Sequence, residues 1–190
     1  MTKTVFLDRD GTINREIGFF GDPNQLEILP GAPEAMLRLH NAGYRIVITT
    51  NQSGIARGLY NERDLTAVHR RLHTLVNELP LAYLHCPHHP DPGPGNDPGY
   101  HRECTCRKPN PGLLHEASTM LKDFGVTLDG AIVIGDSARD LLMAEGLPMT
   151  KILVASGKPI EEQRNKLTDA GCRPDYEAAD LSAAVDWLLR

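Results

Sequence analysis

The chain has 190 residues, of which 41% are hydrophobic and 24% are charged, and its net charge is −5. This composition is typical of one globular domain with a real core, and the acidic balance argues against nucleic acid or an anionic membrane as the main partner. No apolar run approaches the roughly 20 residues of a membrane-spanning helix, and no secretion signal is found, so we expect one cytoplasmic, monomeric domain over residues 1–190.

Hydrophobic periodicity predicts strands and helices that alternate along most of the chain. The predicted strands cover residues 4–7, 45–50, 81–85, 131–134, 151–155 and 175–176. The predicted helices cover residues 33–42, 62–79, 112–124, 137–146, 160–170 and 180–189. This alternation is typical of an α/β fold with a doubly wound, mainly parallel, Rossmann-like sheet.

Two aspartates follow the first predicted strand. Asp8 and Asp10 are two positions apart, so on an extended segment both side chains point to the same side. Buried parallel strands place ligand-binding groups just beyond their carboxyl ends. Two carboxylates brought together repel each other, and a divalent cation offsets that repulsion. The sequence therefore predicts a Mg²⁺ site after the first strand.

Polar groups suited to one kind of chemistry also follow other predicted strands. They are Thr50-Asn51, Arg107-Lys108, and Gly135-Asp136 with Asp140. An aspartate can attack phosphorus, a metal and a lysine can screen the phosphate oxygens, and a second acid can protonate the leaving oxygen. Taken singly, an aspartate after a strand is often a helix cap, and Lys-Pro is usually a surface loop. Four such segments in order favour phosphoryl transfer.

These segments resemble the four motifs of the haloacid-dehalogenase-like (HAD-like) phosphatases. The matching strings are Asp8-x-Asp10-Gly11-Thr12, Thr50-Asn51, Lys108 and Gly135-Asp136-x-x-x-Asp140, in the family's order. The longer strings at residues 6–14 and 50–58 resemble one subfamily, which contains the D-glycero-D-manno-heptose 1,7-bisphosphate 7-phosphatases and the histidinol-phosphate phosphatases. The resemblance implies a capless HAD-like domain.

The resemblance also implies roles for the acidic residues. Asp8 is expected to be the nucleophile that forms an aspartyl-phosphate, and Asp10 to protonate the leaving oxygen and later activate water. Mg²⁺ is expected to be held by Asp8, by the backbone carbonyl of Asp10 and by Asp136. Asp140 has two open roles, since it could orient Lys108 or support the surroundings of the metal.

The phosphoryl group and the rest of the substrate are expected to meet a second set of residues. Thr50 and Lys108 are expected to bind the oxygens of the transferring group, and Ser137 stands where related sequences often carry lysine. The other expected substrate contacts are Glu16, Ile17, Gly18 and Phe19 for the sugar, and Asn51, Gln52 and Ser53. Arg107, aided by Arg57, is our hypothesis for a second phosphate, because arginine suits bidentate phosphate recognition. Arg57 is equally explained as a solvated loop residue.

The segment at residues 86–106 is rich in proline and glycine and lacks the apolar pattern that would order it. Cys86-x-His88 and Cys104-x-Cys106 supply three thiolates and one imidazole, a set that suits a closed structural Zn²⁺ site. His85, His89 and His101 lie nearby, but the Cys-x-His match favours His88. The spacing is also that of the zinc loop in the resembled subfamily. Cys172 is interpreted as an inert thiol.

The expected function is therefore Mg²⁺-dependent hydrolysis of the 7-phosphate of a heptose 1,7-bisphosphate, in the synthesis of nucleotide-activated heptose and lipopolysaccharide core precursors. Histidinol-phosphate phosphatase is the alternative within the same class. A catalytically inactive, zinc-stabilised interaction module is the alternative from another class. It predicts the loss of an aspartate or of the lysine, and all are present. The sequence does not separate the α from the β anomer of the sugar.

Overall fold

A computed structural model describes residues 3–93 and 97–190 of the chain. The strands are β1 (Lys3–Leu7), β2 (Tyr44–Asn51), β3 (Ala82–Cys86), β4 (Ile132–Gly135), β5 (Thr150–Val154) and β6 (Tyr176–Ala178). They form one sheet in the order β3-β2-β1-β4-β5-β6, and every pair of neighbours is parallel. The doubly wound α/β prediction is confirmed.

Side chains alternate between the two faces of the sheet, as the period of a strand requires. On β1, Val5 and Leu7 enter one hydrophobic cluster, whereas Phe6 enters the cluster on the opposite face. Ile132 and Ile134 of β4 join the first cluster in the same way. Both faces of the central strands are therefore buried, which explains why these strands appear in the sequence as continuous apolar runs.

Helices cover both faces. They are α1 (Ala32–Asn41), α2 (Glu62–Leu75), α3 (Gly112–Met120), α4 (Ala138–Leu142), α5 (Ile160–Asp169) and α6 (Leu181–Leu188). Residues of α1, α2 and α6 enter the cluster that contains Val5, whereas residues of α3 enter the cluster that contains Phe6. Among the described residues no helix is long and apolar enough to cross a membrane.

Three predicted helices extend four residues past the observed C-terminal ends. The helix predicted at 62–79 ends at Leu75, because Asn77 and Glu78 adopt left-handed φ angles of 55° and 57°. The helix predicted at 112–124 ends at Met120 and continues only as a 3₁₀ turn over Lys122–Phe124. The helix predicted at 137–146 covers only Ala138–Leu142. In each case apolar residues continue at helical spacing beyond the observed end, so the sequence pattern did not show where the helix stops.

The order of the strands reverses at β1. The chain runs outward from β1 through β2 to β3, and then returns to place β4 on the other side of β1. In an open α/β sheet such a reversal opens a crevice at the carboxyl ends of the strands. Here the backbone N–H of Asp8 donates to the carbonyl of Ile134 at 2.9 Å, so the residue after β1 is fastened to the end of β4.

Candidate active site

A recess at the carboxyl edge of the sheet, called here the catalytic recess, collects the predicted catalytic residues. It is lined by Asp8, Asp10, Glu16, Thr50, Asn51, Lys108, Asp136, Ser137, Arg139, Asp140 and Lys158. These residues come from the end of β2, from the loops that follow β1, β4 and β5, from the first turn of α4 and from the segment before α3. The four segments singled out in the sequence therefore converge on one place.

Lys108 is at the centre of the recess, with a side chain that is only 2% exposed. Its Nζ donates to Asp8 Oδ1 at 2.7 Å, to Asp140 Oδ1 at 2.6 Å and to the carbonyl of Thr49 at 2.8 Å. Burial alone lowers the pKa of a lysine, but Asp140 and then Asp8 outweigh burial and raise the pKa of Lys108. The ammonium is therefore charged and points at the predicted nucleophile.

Asp140 contacts Lys108 directly, which favours the first of the two roles left open for it. Its Oδ1 accepts from Lys108, while its Oδ2 accepts from the backbone N–H of Ser137 at 3.0 Å and from the Ser137 hydroxyl at 2.8 Å. Asp140 lies in the first turn of α4, so the helix start fixes its carboxylate. Ser137 thus binds Asp140, and its predicted contact with substrate stays a prediction.

Asp8, Asp136 and Asp140 form an acidic cluster whose carboxylate oxygens lie within 4.8 Å of one another. Burial, followed by the charge of Asp140, raises the pKa of Asp8 well above its usual range and that of Asp136 to about 7. Because Asp140 already has partners on both oxygens, Asp8 and Asp136 are the side chains that fit a divalent cation. A cation there would favour the ionised form of both acids.

Two glycines leave just enough room for the carboxylate of Asp136. A Cβ atom on Gly11 would lie 2.3 Å from Asp136 Oδ2, and one on Gly157 would lie 2.0 Å from it. The backbone N–H of Lys158 donates to the same oxygen at 3.0 Å. The loops after β1 and β5 therefore both contact Asp136 and fix the position of its carboxylate.

The side chain of Asp10 points toward a ring of donors. The guanidinium of Arg9 binds both of its oxygens at 2.9–3.1 Å, Asn14 Nδ2 donates to Oδ1 at 2.9 Å, and Gln52 Nε2 donates to Oδ2 at 2.9 Å. The carboxyl oxygens of Asp10 are not part of the Asp8–Asp136–Asp140 cluster. This fits the expectation that a metal meets only the Asp10 backbone carbonyl.

Thr50 and its neighbours organise the loop after β2. Gln52 Nε2 donates to Thr50 Oγ1 at 2.8 Å, so the Thr50 hydroxyl keeps its own hydrogen for another acceptor. Asn51 exchanges two hydrogen bonds of 3.1 Å with the backbone of Lys108. Gln52 also accepts from the Tyr60 hydroxyl at 2.7 Å. Asn51 and Gln52, predicted as substrate contacts, are thus held by protein partners.

A second cavity of about 320 Å³ adjoins the catalytic recess and is called here the side pocket. The two share Asp10, Glu16, Asn51 and Arg139, and the side pocket is also lined by Gly18, Phe19, Gln52, Ser53, Arg57, Tyr60, His89 and Arg107. Its three arginines have no carboxylate partner among residues 3–93 and 97–190. Burial, then Arg139, lowers the pKa of Arg107. The pocket therefore presents unneutralised positive charge.

The predicted sugar-binding segment meets the pocket only in part. Gly18 and Phe19 line it, whereas Ile17 lines neither cavity. Both oxygens of Glu16 have partners, since Oε1 accepts from the N–H of Gly18 at 2.9 Å and Oε2 accepts from Lys158 Nζ at 2.8 Å. Phe19 lies under the Arg57 guanidinium, 5.2 Å away. Glu16 therefore organises its own loop.

The predicted zinc ligands come together in one cluster. Cys86, His88, Cys104 and Cys106 place their ligand atoms within 4.8 Å of one another. Neighbouring ligand atoms are 3.3–3.8 Å apart, and two ligands on a tetrahedral Zn²⁺ are separated by about 3.8 Å. All four cysteines of the chain are free of disulfides. The donor set and its spacing fit a closed structural zinc site.

His88 is the histidine of the cluster, and the three other nearby histidines have partners elsewhere. His88 directs Nδ1 at the thiols, and its Nε2 lies 2.6 Å from Arg102. His85 pairs with Glu62 at 2.9 Å, His89 faces Arg57, and His101 contacts the carbonyl of Pro90. The placement of His88 agrees with the Cys-x-His interpretation, and its role as a zinc ligand stays a prediction.

The zinc cluster is tied to the catalytic recess through the chain that follows it. Lys108 is two residues after Cys106, and the start of α3 is so close to Thr105 that a Cβ on Gly112 would lie 2.4 Å from the Thr105 carbonyl. Arg107 donates to the carbonyl of His88 at 3.3 Å. A metal in the cluster would fix the backbone that carries both cations.

Two cationic residues of the site were missed in the sequence. Lys158 follows β5, and Arg139 is in the first turn of α4; both line the catalytic recess. No acid or amide follows the predicted fifth strand, so its loop was not grouped with the other four. Parallel topology alone places the end of β5 at the same edge, and the Ser-Gly-Lys run there is the signal that could have identified it.

Comparison with known proteins agrees with this geometry. The HAD-hydrolase-like family model matches residues 105–184. A D-glycero-beta-D-manno-heptose-1,7-bisphosphate 7-phosphatase of Vibrio cholerae is 38% identical over 167 residues, covering 86% of this chain and 87% of the relative. A D-glycero-D-manno-heptose-1,7-bisphosphate 7-phosphatase of Thermosynechococcus vestitus is 36% identical over 188 residues, covering 97% of this chain and 94% of the relative.

A solved structure is similar over the whole chain. It is a D,D-heptose 1,7-bisphosphate phosphatase from B. bronchiseptica, complexed with magnesium and phosphate. The two chains share 33% identity with a TM-score of 0.79, covering 99% of this chain and 98% of the other. Fold and length therefore agree with one group of relatives over nearly the whole chain.

Proposed function

Because this chain belongs to the D-glycero-D-manno-heptose-1,7-bisphosphate 7-phosphatase family of HAD-like hydrolases, we propose that it removes the 7-phosphate from such a heptose bisphosphate. The observation that carries the proposal is that the catalytic recess shares four lining residues with a pocket that has three unneutralised arginines. One cavity has the groups for phosphoryl transfer, and the other suits the second phosphate.

Asp8 is the nucleophile in this mechanism. Its Oδ1 is held by Lys108, and Oδ2 has no hydrogen bond to any part of the chain that the structure describes. The free oxygen attacks phosphorus to form an aspartyl-phosphate, and Lys108 and the Thr50 hydroxyl bind the oxygens of the transferring group. Lys108 also reduces the repulsion between an anionic nucleophile and an anionic substrate.

Asp10 transfers the proton. It protonates the leaving sugar oxygen in the first half-reaction and takes a proton from water in the second. Arg9, Asn14 and Gln52 orient its carboxylate beside the nucleophile. Keeping that side chain away from the metal preserves its capacity to exchange a proton.

Asp8, Asp136 and the backbone carbonyl of Asp10 hold Mg²⁺ in this proposal. The raised pKa values of Asp8 and Asp136 and the packing of Asp136 between two glycines support it. The bound ion supplies positive charge that screens the phosphate oxygens. Zn²⁺ in the Cys86–His88–Cys104–Cys106 cluster has a structural role, because four protein ligands leave no position for water.

The alternative substrate, histidinol phosphate, fits the side pocket less well. Arg57, Arg107 and Arg139 would face a cationic amine, whereas a second phosphate neutralises them. The inactive-module alternative lacks support, since Asp8, Asp10, Lys108 and Asp136 line one recess. The names of several relatives specify the β anomer, which is therefore the substrate that we propose.

We also propose a single HAD-like domain over residues 1–190 that acts as a cytoplasmic monomer. Strands from both ends of the chain share one sheet, and thiols placed for zinc suit a reducing compartment. Light scattering on the zinc-loaded protein should give the mass of one chain, and the mass of two or more chains would contradict the monomer.

The deciding experiment is phosphate release with Mg²⁺ from both anomers of the heptose bisphosphate and from histidinol phosphate. We expect kcat/KM for the β-bisphosphate to exceed that for the other two by at least about tenfold. Preference for histidinol phosphate would overturn the substrate but leave the roles of Asp8 and Asp10 standing. Preference for the α anomer would move the enzyme to another heptose pathway.

A further inference from the structure

A fifth loop, which follows β5, is fastened to the loops that carry the nucleophile and the metal ligand. The Ser156 hydroxyl donates to the carbonyl of Gly11 at 2.7 Å. Gly157 packs against Asp136 so closely that a Cβ would lie 2.0 Å from Oδ2, and the N–H of Lys158 donates to that oxygen. The backbone before Lys158 thus has a fixed position beside Asp136.

The Lys158 side chain extends from this fixed backbone toward the substrate side. Its half-buried Nζ lies 2.8 Å from Glu16 Oε2 and 3.7 Å from Asp136 Oδ2. The other oxygen of Glu16 accepts from the N–H of Gly18. One carboxylate therefore joins the β5 loop to residues 16–19, which we call the substrate loop.

The substrate loop forms a wall of the side pocket. Gly18 and Phe19 line that pocket, and Phe19 packs under Arg57. We propose that the Glu16–Lys158 ion pair positions this wall relative to Asp136, so that Lys158 is a positioning residue for the leaving group rather than a phosphate ligand. The proposal rests on the proposed function for the identity of that leaving group.

A cation on Asp136 strengthens this arrangement. Lys158 divides its charge between Glu16 and Asp136 in the structure, and a second positive charge on Asp136 repels the ammonium. The repulsion leaves Glu16 as the better partner. Metal binding at Asp136 is therefore expected to favour the Glu16–Lys158 pair and so to order the substrate loop.

A cycle of four enzymes separates positioning from direct phosphate binding. They are the wild type, Glu16→Gln, Lys158→Met and the double variant, each assayed on the heptose bisphosphate and on p-nitrophenyl phosphate. We expect each single variant to lower kcat/KM for the bisphosphate about tenfold, mainly through KM, and the double variant to be no worse. Because the small ester has no sugar for the substrate loop to position, each variant should lose less of its kcat/KM for p-nitrophenyl phosphate than for the bisphosphate.

A matched control is the Lys151–Glu145 pair, which has a similar distance of 2.7 Å and lines neither cavity. Glu145→Gln and Lys151→Met should leave both substrates unaffected. Lys158→Arg keeps the charge and should restore most of the loss.

Hydrogen exchange gives a readout that needs no turnover. Peptides that span residues 15–21 should exchange faster in both single variants than in the wild type, and Mg²⁺ should slow exchange only where the pair is intact. Additive losses, a loss from Lys158→Met as large with p-nitrophenyl phosphate as with the bisphosphate, or unchanged exchange would overturn the proposal. If the wild type hydrolyses no heptose bisphosphate, the proposed function fails, and the exchange result still decides the role of the pair.

Discussion

Lys108 keeps its charge in an almost dry site because three oxygens surround its ammonium. A buried charge costs free energy unless it is paired and hydrogen-bonded. Removing one partner leaves a buried charge that is incompletely paired, and this lowers the stability of the fold. The same three contacts aim the ammonium at Asp8. Stability and catalysis therefore depend on one small group of atoms.

Asp140→Asn tests this double dependence. The substitution removes a buried partner of Lys108, so we expect the free energy of unfolding to fall by about 3 kcal/mol and kcat to fall as Lys108 loses its orientation. Urea denaturation and steady-state kinetics measure the two effects. Asp186→Asn breaks an exposed ion pair with Arg38 and should cost less than about 1 kcal/mol. Equal losses in the two variants would contradict the role of Asp140.

Asp8→Asn tests the nucleophile. The amide cannot form an acyl-phosphate, so kcat should fall by roughly four orders of magnitude or more while the fold persists. Phosphate release and the far-ultraviolet circular dichroism spectrum measure these two properties. Substantial residual turnover would rule out Asp8 as the attacking group.

Arg107→Ala tests the second-phosphate role. Loss of a hydrogen-bonded charge should lower kcat/KM for the bisphosphate by about 10- to 100-fold, and that for p-nitrophenyl phosphate much less. Arg71, exposed on α2, provides the control substitution Arg71→Ala. Equal losses on both substrates would show that Arg107 acts on the reacting phosphate or on the fold.

At the scale of elements, the zinc loop replaces a hydrophobic core with a metal cluster. The loop contains a 3₁₀ turn over Pro98–Tyr100 and no longer helix or strand in its described residues, and it contacts the loop after β2 where the N–H of Asp97 donates to the carbonyl of Ala56 at 3.0 Å. We therefore expect its order to depend on bonds to zinc that form on folding. Lys108, two residues beyond the cluster, depends on the same bonds.

Cys104→Ala should release the zinc and loosen the backbone that carries Lys108. We expect less than one zinc per chain by elemental analysis, a lower melting temperature and a reduced kcat. Cys172→Ala is the control, because Cys172 lies outside the cluster and should leave the zinc content at one per chain. Full zinc occupancy in Cys104→Ala would disprove the assigned ligand.

The sequence predicted most of the elements and the acidic half of the site, for identifiable reasons. Continuous apolar runs mark strands that are buried on both faces, and helical spacing marks the buried face of a helix; together they located each of β1 to β6. They do not record a left-handed turn, so the helix ending at Leu75 was extended through Asn77 and Glu78. The partners of Glu16 and Gln52 were also beyond reach, because Lys158 lies 142 positions from Glu16, and Tyr60 meets Gln52 only through the loop geometry.

At the scale of the whole molecule, the half-buried His69 makes the fold sensitive to acid. Burial lowers the pKa of His69 to about 2, and its ring stacks on Tyr83 with centroids 4.9 Å apart. The unfolded chain takes up this proton near pH 6.5, while the folded chain does not until near pH 2. Stability from His69 is complete above pH 6.5 and is lost as the pH falls below that value.

His69→Phe should therefore flatten the acid limb of the stability curve. Between pH 6.5 and 5 the wild type should lose about 2 kcal/mol more than the variant, because each pH unit contributes about 1.4 kcal/mol. Urea denaturation across this range measures the difference, with His115→Phe on the exposed side of α3 as control. Parallel curves for the wild type and His69→Phe would show that His69 is not the group responsible.

The central position of β1 in the sheet affects how the chain can fold during its synthesis. A ribosome delivers β1 before any other described strand, yet β1 pairs with β4, which begins about 130 residues later. Until β4 emerges, one edge of β1 and the apolar side chains of Val5 and Phe6 are open to wrong partners. The nascent chain thus passes through a long interval in which the strand at the centre of its sheet has an unpaired edge.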